Sequence, residues 1–205
     1  MEILKKSIAF FLLLISLQSQ AQESKIMAAF NKSYELEYGK KYDEAVSSFY
    51  SIYDPASYEI NLRLAYLYYL AKKNTESIIY YKKAAAIMPV AIEPLWAIIN
   101  PLTAQEQWTE VEKTYYAILK LDPKNVTANY NLGNIFYYRK DYVTAKKYFD
   151  ISLNQYPFTY NYLLMSGWTN YFLGNKKDAQ VLFTKALLYK PNDASALEGL
   201  AMLKK

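Results

Sequence analysis

The chain has 205 residues, with 53% hydrophobic content, five Gly, seven Pro and a formal net charge of +5. Apolar content of that size supplies a core, and Gly and Pro are too scarce for fibrous or disordered material. The absence of Cys and His excludes disulfides, zinc thiolates and a lipid-anchoring cysteine, and it removes the commonest general base and metal ligand. The charge falls well short of the basic excess of a nucleic-acid binder.

Residues 1–21 open with Lys5 and Lys6, continue as an apolar run from Ile8 to Leu17 and end in Ser19-Gln20-Ala21. A basic start, a short apolar stretch and a small residue before polar sequence predict a secretory signal peptide, cleaved after Ala21. The run is too short to span a bilayer stably, so no transmembrane span is expected; an uncleaved anchor is the rival reading. The mature chain, from Gln22, is expected in a bacterial periplasm or cell envelope, and not as a lipoprotein.

One interval organises the remainder. Pro89, Pro123, Pro157 and Pro191 stand 34 residues apart. Eight residues before them stand Tyr81, Tyr115, Phe149 and Phe183; twelve before, Ser77, Val111, Ala145 and Ala179; five before, Ala84, Ile118, Ser152 and Ala186. Twenty-four before stand Ala65, Ile99, Gly133 and Gly167, and one period on is Ala201. Large and small residues recurring in register at this period mark stacked repeats.

The repeats run over about 26–57, 58–91, 92–125, 126–159 and 160–193, followed by half a unit at 194–205. The first is shortened, with Pro55 two residues early, and Gly39 marks its turn. The second carries Leu62, Ala65, Tyr66 and Tyr69 at helical spacing. In the third, Pro94 suits a first helical turn, whereas Pro101 is expected to kink its helix. In the fifth, Gly174 marks the turn and Asp193 is a candidate N-cap for the last segment. With no linker between repeats, residues 22–205 are expected to form one domain.

The fourth unit, VTANYNLGNIFYYRKDYVTAKKYFDISLNQYP, resembles the tetratricopeptide repeat (TPR), with Leu132, Gly133, Phe136, Tyr142, Ala145, Phe149 and Pro157 at the motif's places. The resemblance implies an all-α, right-handed superhelical solenoid of antiparallel helix pairs, closed by a solvating cap helix over 194–205. It also implies that the first helix of each unit lines a concave groove. The residues so placed are Tyr34 and Tyr38, Tyr66 and Tyr69, Trp96, then Tyr130, Asn131, Asn134, Tyr137 and Tyr138, and finally Trp168, Tyr171 and Phe172. Tyr and Trp offer flat apolar area with a polar tip, which suits a binding wall, though such rings also pack between neighbouring helices. Asn131 and Asn134 suit hydrogen bonding to a peptide backbone. The family's carboxylate clamp, built on Lys and Arg, is not evident, since only Arg63 and Arg139 come near it.

Catalysis is not expected. Six of the seven aspartates flank turns or unit boundaries, where capping explains them, and Asp150 lies inside a helix. Glu35 and Glu37, like Glu110 and Glu112, are two apart and so face different ways on a helix. No phosphate loop, G-x-S-x-G or H-E-x-x-H occurs, and neither metal nor cofactor is implied. Basic pairs recur at Lys40-Lys41, Lys72-Lys73, Arg139-Lys140 and Lys176-Lys177, near the ends of first helices. They suit helix C-terminal dipoles; contact with an anionic surface such as phospholipid headgroups is their other use. The segment around Pro101 either bends the stack or forms a partner-specific site near Trp96 and Trp108. The leading expectation is therefore an exported, non-catalytic scaffold that holds a protein or peptide segment of an envelope assembly in an aromatic groove. The alternative is a carbohydrate-binding module on the same Tyr/Trp platform. Nothing in the sequence decides oligomeric state.

Overall fold

The computed structural model describes residues 22–204, so the leader expected over 1–21 lies outside the described residues. Among the described residues there are eleven helices and no strand. They are α1 (22–38), α2 (Tyr42–Ser47), α3 (Tyr58–Leu70), α4 (Asn74–Ile87), α5 (Glu93–Ala104), α6 (Trp108–Leu121), α7 (Val126–Tyr138), α8 (Tyr142–Gln155), α9 (Tyr160–Phe172), α10 (Lys176–Tyr189) and α11 (Ala194–Met202). None is long and apolar enough to cross a membrane. From α3 onward the first helices start at Tyr58, Glu93, Val126, Tyr160 and Ala194, within one residue of a 34-residue step.

The described residues form two compact units, divided between Glu106 and Gln107. In the first, α2 packs on α3, α3 on α4 and α4 on α5, while the alternate helices α3 and α5 also touch. In the second, α7 pairs with α8 and α9 with α10; α6 packs on α7, α8 on α9 and α10 on α11, and the alternate pairs α7–α9 and α9–α11 meet. Within each unit, from α2 to α5 and from α6 to α11, every helix packs against its successor, as repeat stacking requires.

The recurring residues are the core. Ala65, Ser77, Tyr81 and Ala84 in the first unit are buried, as are Val111, Ala145, Phe149, Ser152, Ala179, Phe183 and Ala186 in the second. Ala201 breaks the series: it is exposed. The small residue of a first helix exists to meet the ring of its own second helix, and α11 has no second helix within the described residues. The close approach is made instead by Gly199, whose absent Cβ leaves room for the Phe183 ring.

Local chemistry sets the helix ends. Ser57, Asn125, Asp141 and Asp193 each accept a backbone N–H three residues on, from Ile60, Ala128, Thr144 and Ala196. Asp193 thus caps α11 as its position in the sequence suggests. Helix α2 is short because Ser47 and Ser48 turn their hydroxyls onto the carbonyls of Asp43 and Glu44. Beyond them the backbone bonds tighten to three-residue turns, as in Phe49 N–H to Val46 O. Asn61 and Asn129, both fully buried, hold the loops that precede α3 and α7. Their amides donate to the carbonyls of Pro55 and Ser57 and of Pro123 and Asn125.

Gly39 lies in the turn between α1 and α2 as expected, and the left-handed residue of that turn is its neighbour Lys40, at φ 57°. The same conformation recurs at Lys72, Glu106, Lys140 and Gly174. Around four of these the bonding is that of a Schellman motif, for example Lys41 N–H to Leu36 O and Lys40 N–H to Glu37 O, both at 2.8 Å. In the third repeat Pro94 sits in the first turn of α5, and the helix continues through the buried Pro101 to Ala104.

Candidate functional site

Each unit carries a groove walled by the first helices of three successive repeats. The groove of the first unit, about 880 Å³, runs over α1, α3 and α5. Phe30, Tyr34, Glu37 and Tyr38 repeat at helical spacing along α1; Glu59, Leu62, Arg63 and Tyr66 do so along α3; Glu93 and Ala97 come from α5. Tyr38 is 94% exposed and Tyr34 and Tyr66 are partly so, which leaves ring faces open to a partner.

Arg63 organises this wall. It is 7% exposed, and its Nε donates to Ser33 Oγ at 3.0 Å. Its Nη1 lies 2.6 Å from Glu37 Oε2, and the guanidinium sits 3.9 Å above the Tyr34 ring. The cation is thus neutralised and hydrogen-bonded from within, as a buried charge must be. At the other end of the groove the Tyr58 hydroxyl donates to Glu93 Oε2 at 3.1 Å. Burial, reinforced by that carboxylate, pushes the Tyr58 phenol up to about 12. Burial also raises Tyr66, with Glu37 next to it as a second cause. These phenols stay neutral and act as donors at ordinary pH.

The groove of the second unit, about 510 Å³, runs over α7, α9 and α11 and has one charged lining residue, Glu198. Tyr137 and Tyr138 come from α7, Leu164, Met165, Trp168, Tyr171 and Phe172 from α9, and Ser195, Glu198 and Met202 from α11. Trp168 Nε1 donates to Ser195 Oγ at 2.8 Å, and the indole stacks on Phe172 at 6.1 Å and meets Phe183 edge-on at 5.1 Å. Phe172 in turn stacks on Tyr142 at 4.6 Å. Burial, with Tyr142 and Tyr138 nearby, pushes the Tyr137 phenol up to about 12. The rings are therefore interlocked, yet Tyr138 remains 78% exposed and Phe172 46% exposed.

Of the residues singled out in the sequence, Tyr34, Tyr38 and Tyr66 line the first groove, and Tyr137, Tyr138, Trp168, Tyr171 and Phe172 line the second. Tyr69, Trp96, Tyr130, Asn131 and Asn134 line neither. Tyr130 packs on Phe149 and Tyr162, at 5.7 and 4.8 Å. Asn131 donates to the Thr127 carbonyl of its own helix, and Asn134 is hydrogen-bonded to the Tyr130 side chain. Sequence reasoning missed Glu37, Glu59, Glu93, Ser195 and Glu198. Their signal was the helical register of the neighbouring tyrosines, on a helix with too few charges to stand out.

Three of the four basic pairs have local employment, whereas Lys176 and Lys177 open α10 instead of ending a first helix. Lys40, Lys72 and Lys140 are the left-handed residues that end first helices; Lys73 pairs with Asp43 at 2.7 Å, and Arg139 holds Glu112 through both Nη atoms. Both arginines near a clamp position, Arg63 and Arg139, are thus already occupied by glutamates.

Tetratricopeptide repeat models match residues 30–91 and 127–159. No curated protein matches the chain. Among solved structures, a tetratricopeptide repeat protein from Parabacteroides merdae aligns with TM-score 0.70 at 20% identity, over 88% of this chain and 72% of that one. MamA aligns with TM-score 0.67 at 16% identity, over 83% and 94% of the two chains. YrrB, a TPR protein with an unusual peptide-binding site, aligns with TM-score 0.64 at 16% identity, over 83% and 89%. At such identities the likeness speaks for the fold alone. With a 34-residue lattice that packs as sequential helix pairs, and repeat models matched in both units, the chain belongs to the tetratricopeptide repeat family.

Proposed function

We propose that this protein is an exported, non-catalytic scaffold that holds a protein or peptide segment of a cell-envelope assembly against the aromatic walls of its grooves. The observation that carries this reading is the repeated exposure of rings on first helices: Tyr34, Tyr38 and Tyr66 in one unit, Tyr138 and Phe172 in the other. Exposed aromatic faces on a rigid frame bind at low entropic cost, because two side-chain torsions per ring are all that must be ordered. YrrB, with a similar fold, has a peptide-binding site, which supports the same use here. Export rests on the basic, apolar leader at residues 1–21.

A second reading, carbohydrate binding, is favoured by the continuous Trp168–Phe172–Tyr142 stack, since flat ring faces also suit sugars. The purified full chain is to be tested on a glycan array and by crosslinking in its native envelope, with the crosslinked neighbour identified. The scaffold reading expects one protein neighbour, captured through groove residues and displaced by peptide. A glycan signal abolished by Trp168→Ala and indifferent to peptide competitors would replace it. Recovery of only a second copy of the chain would make the aromatic surface a self-association face.

A further inference from the structure

Charge in the first unit's groove runs against the charge of the protein. The chain carries a formal net charge of +5, yet the ionisable carboxyl and cationic groups lining this groove are three carboxylates, Glu37, Glu59 and Glu93, and one guanidinium, Arg63. Arg63 is matched by Glu37 at 2.6 Å, so two carboxylates are left uncompensated within the lining. Both belong to exposed residues. Their recorded bonds inside the groove region are to neutral hydroxyls, Ser57 for Glu59 and Tyr58 for Glu93. Neutral donors leave the negative charge in place, and a concave apolar wall concentrates its field.

Arg63 also shows how this wall receives a cation: over the Tyr34 ring at 3.9 Å, within 5.8 Å of the Tyr66 ring, and against a carboxylate. Tyr58, next to Glu59 in sequence and bonded to Glu93, offers a ring with two carboxylates, and the lining holds no cation besides the Arg63 already paired with Glu37. A Lys or Arg side chain carried by a peptide supplies the cation that these carboxylates lack.

Building on the peptide-binding reading, we infer that the first unit's groove selects a basic segment, seating a Lys or Arg side chain against the Tyr58 ring between Glu59 and Glu93. Ring faces and carboxylates together favour a cation over a neutral side chain of equal size.

The test uses the full chain on an array of random linear peptides, followed by titration of the best binder. Binders enriched in Lys or Arg are expected, with replacement of that residue by Gln weakening binding by about tenfold. Combined Glu59→Gln and Glu93→Gln substitutions should weaken it by a similar factor, while Glu35→Gln, at an exposed acid of α1 outside the groove lining, leaves it unchanged. The two glutamines replace exposed side chains, and far-UV circular dichroism checks that helix content is kept. Binding of the parent protein should also fall as salt is raised. Binders that are uncharged or acidic, or a basic peptide held equally well by the double variant, would overturn the inference while leaving peptide binding intact. An array with no binders at all defeats the peptide reading itself, and the inference with it.

Discussion

Gly133 on α7 and Phe149 on α8 are in contact through the missing side chain of the glycine: a Cβ there would lie 2.6 Å from the ring. Phe149 is fully buried, so its ring has nowhere to retreat. Gly133→Ala should therefore overpack the pair and cost about 1–3 kcal/mol, read as a lower urea midpoint. A change below about 0.5 kcal/mol, within the range of neutral surface substitutions, would mean that the two helices separate more freely than this contact allows.

Gly174 is costly to replace for a different reason. Nothing lies within 4 Å of its would-be Cβ, but its φ is +79°, where an L-residue with a side chain is disfavoured. Gly174→Ala should cost about 1 kcal/mol. At Lys140, with φ 62°, the reverse change Lys140→Gly should stabilise by roughly 0.5–1 kcal/mol, the relief of strain exceeding the added chain entropy. Gly39→Ala meets only ordinary contacts at 3.5 Å and should be tolerated. Thermal melts of the three variants give the ordering directly.

Arg63 and Glu37 tie the wall of the first groove together across α1 and α3. Removing the acid with Glu37→Ala leaves a guanidinium that is 7% exposed without its counter-charge. A loss of roughly 3 kcal/mol is expected, at the low end of the range for buried pairs because Glu37 reaches water. Glu37→Gln, which keeps an oxygen beside Arg63, should lose less. Equal losses for both variants would show that packing, not charge, is what Glu37 supplies.

Asp193 links acid stability to the second groove. The Tyr160 hydroxyl, and after it the Ala196 N–H, hold its carboxyl below the usual carboxylate range. A depressed folded-state pKa contributes stability that is complete above the unfolded value of about 3.9 and is lost as pH falls through the folded value. The side chain is half-buried and still meets water, so screening keeps the ionic part small, and the cap itself is worth roughly 1 kcal/mol. Asp193→Ala should loosen α11 at neutral pH, breaking the Trp168–Ser195 contact and altering indole emission. Asp193→Asn should keep the cap and lose the acid-dependent component. An unchanged acid unfolding profile in Asp193→Asn would remove this carboxylate from the account.

Export has its own measurement. N-terminal sequencing of the protein recovered from the envelope fraction of a bacterial host should begin at Gln22. A chain that begins at Met1 and stays with the membrane would identify residues 1–21 as an uncleaved anchor.

Much of this protein was present in its residues as a spacing. The 34-residue step between prolines and the alternation of Gly133-like small residues with Phe149-like rings are one-dimensional facts, and they suffice for helix pairs because each pair packs mainly on its neighbours in sequence. The conformation of Lys40, Lys72 and Lys140 was not legible, since nothing in a lysine announces a left-handed backbone; the helix-ending hydrogen bonds impose it. Nor was it legible which tyrosines face a groove. Tyr130 and Tyr138 both occupy α7, yet one packs on Phe149 and Tyr162 while the other is 78% exposed. Local periodicity tells which side of a helix is apolar, but only the arrival of the next helix decides how much of that side is covered. For the same reason the opposition of Arg63 to Glu37, and the two carboxylates left over around it, belong to the tertiary structure: residues about thirty apart in sequence meet there, and charge balance is settled only where they meet.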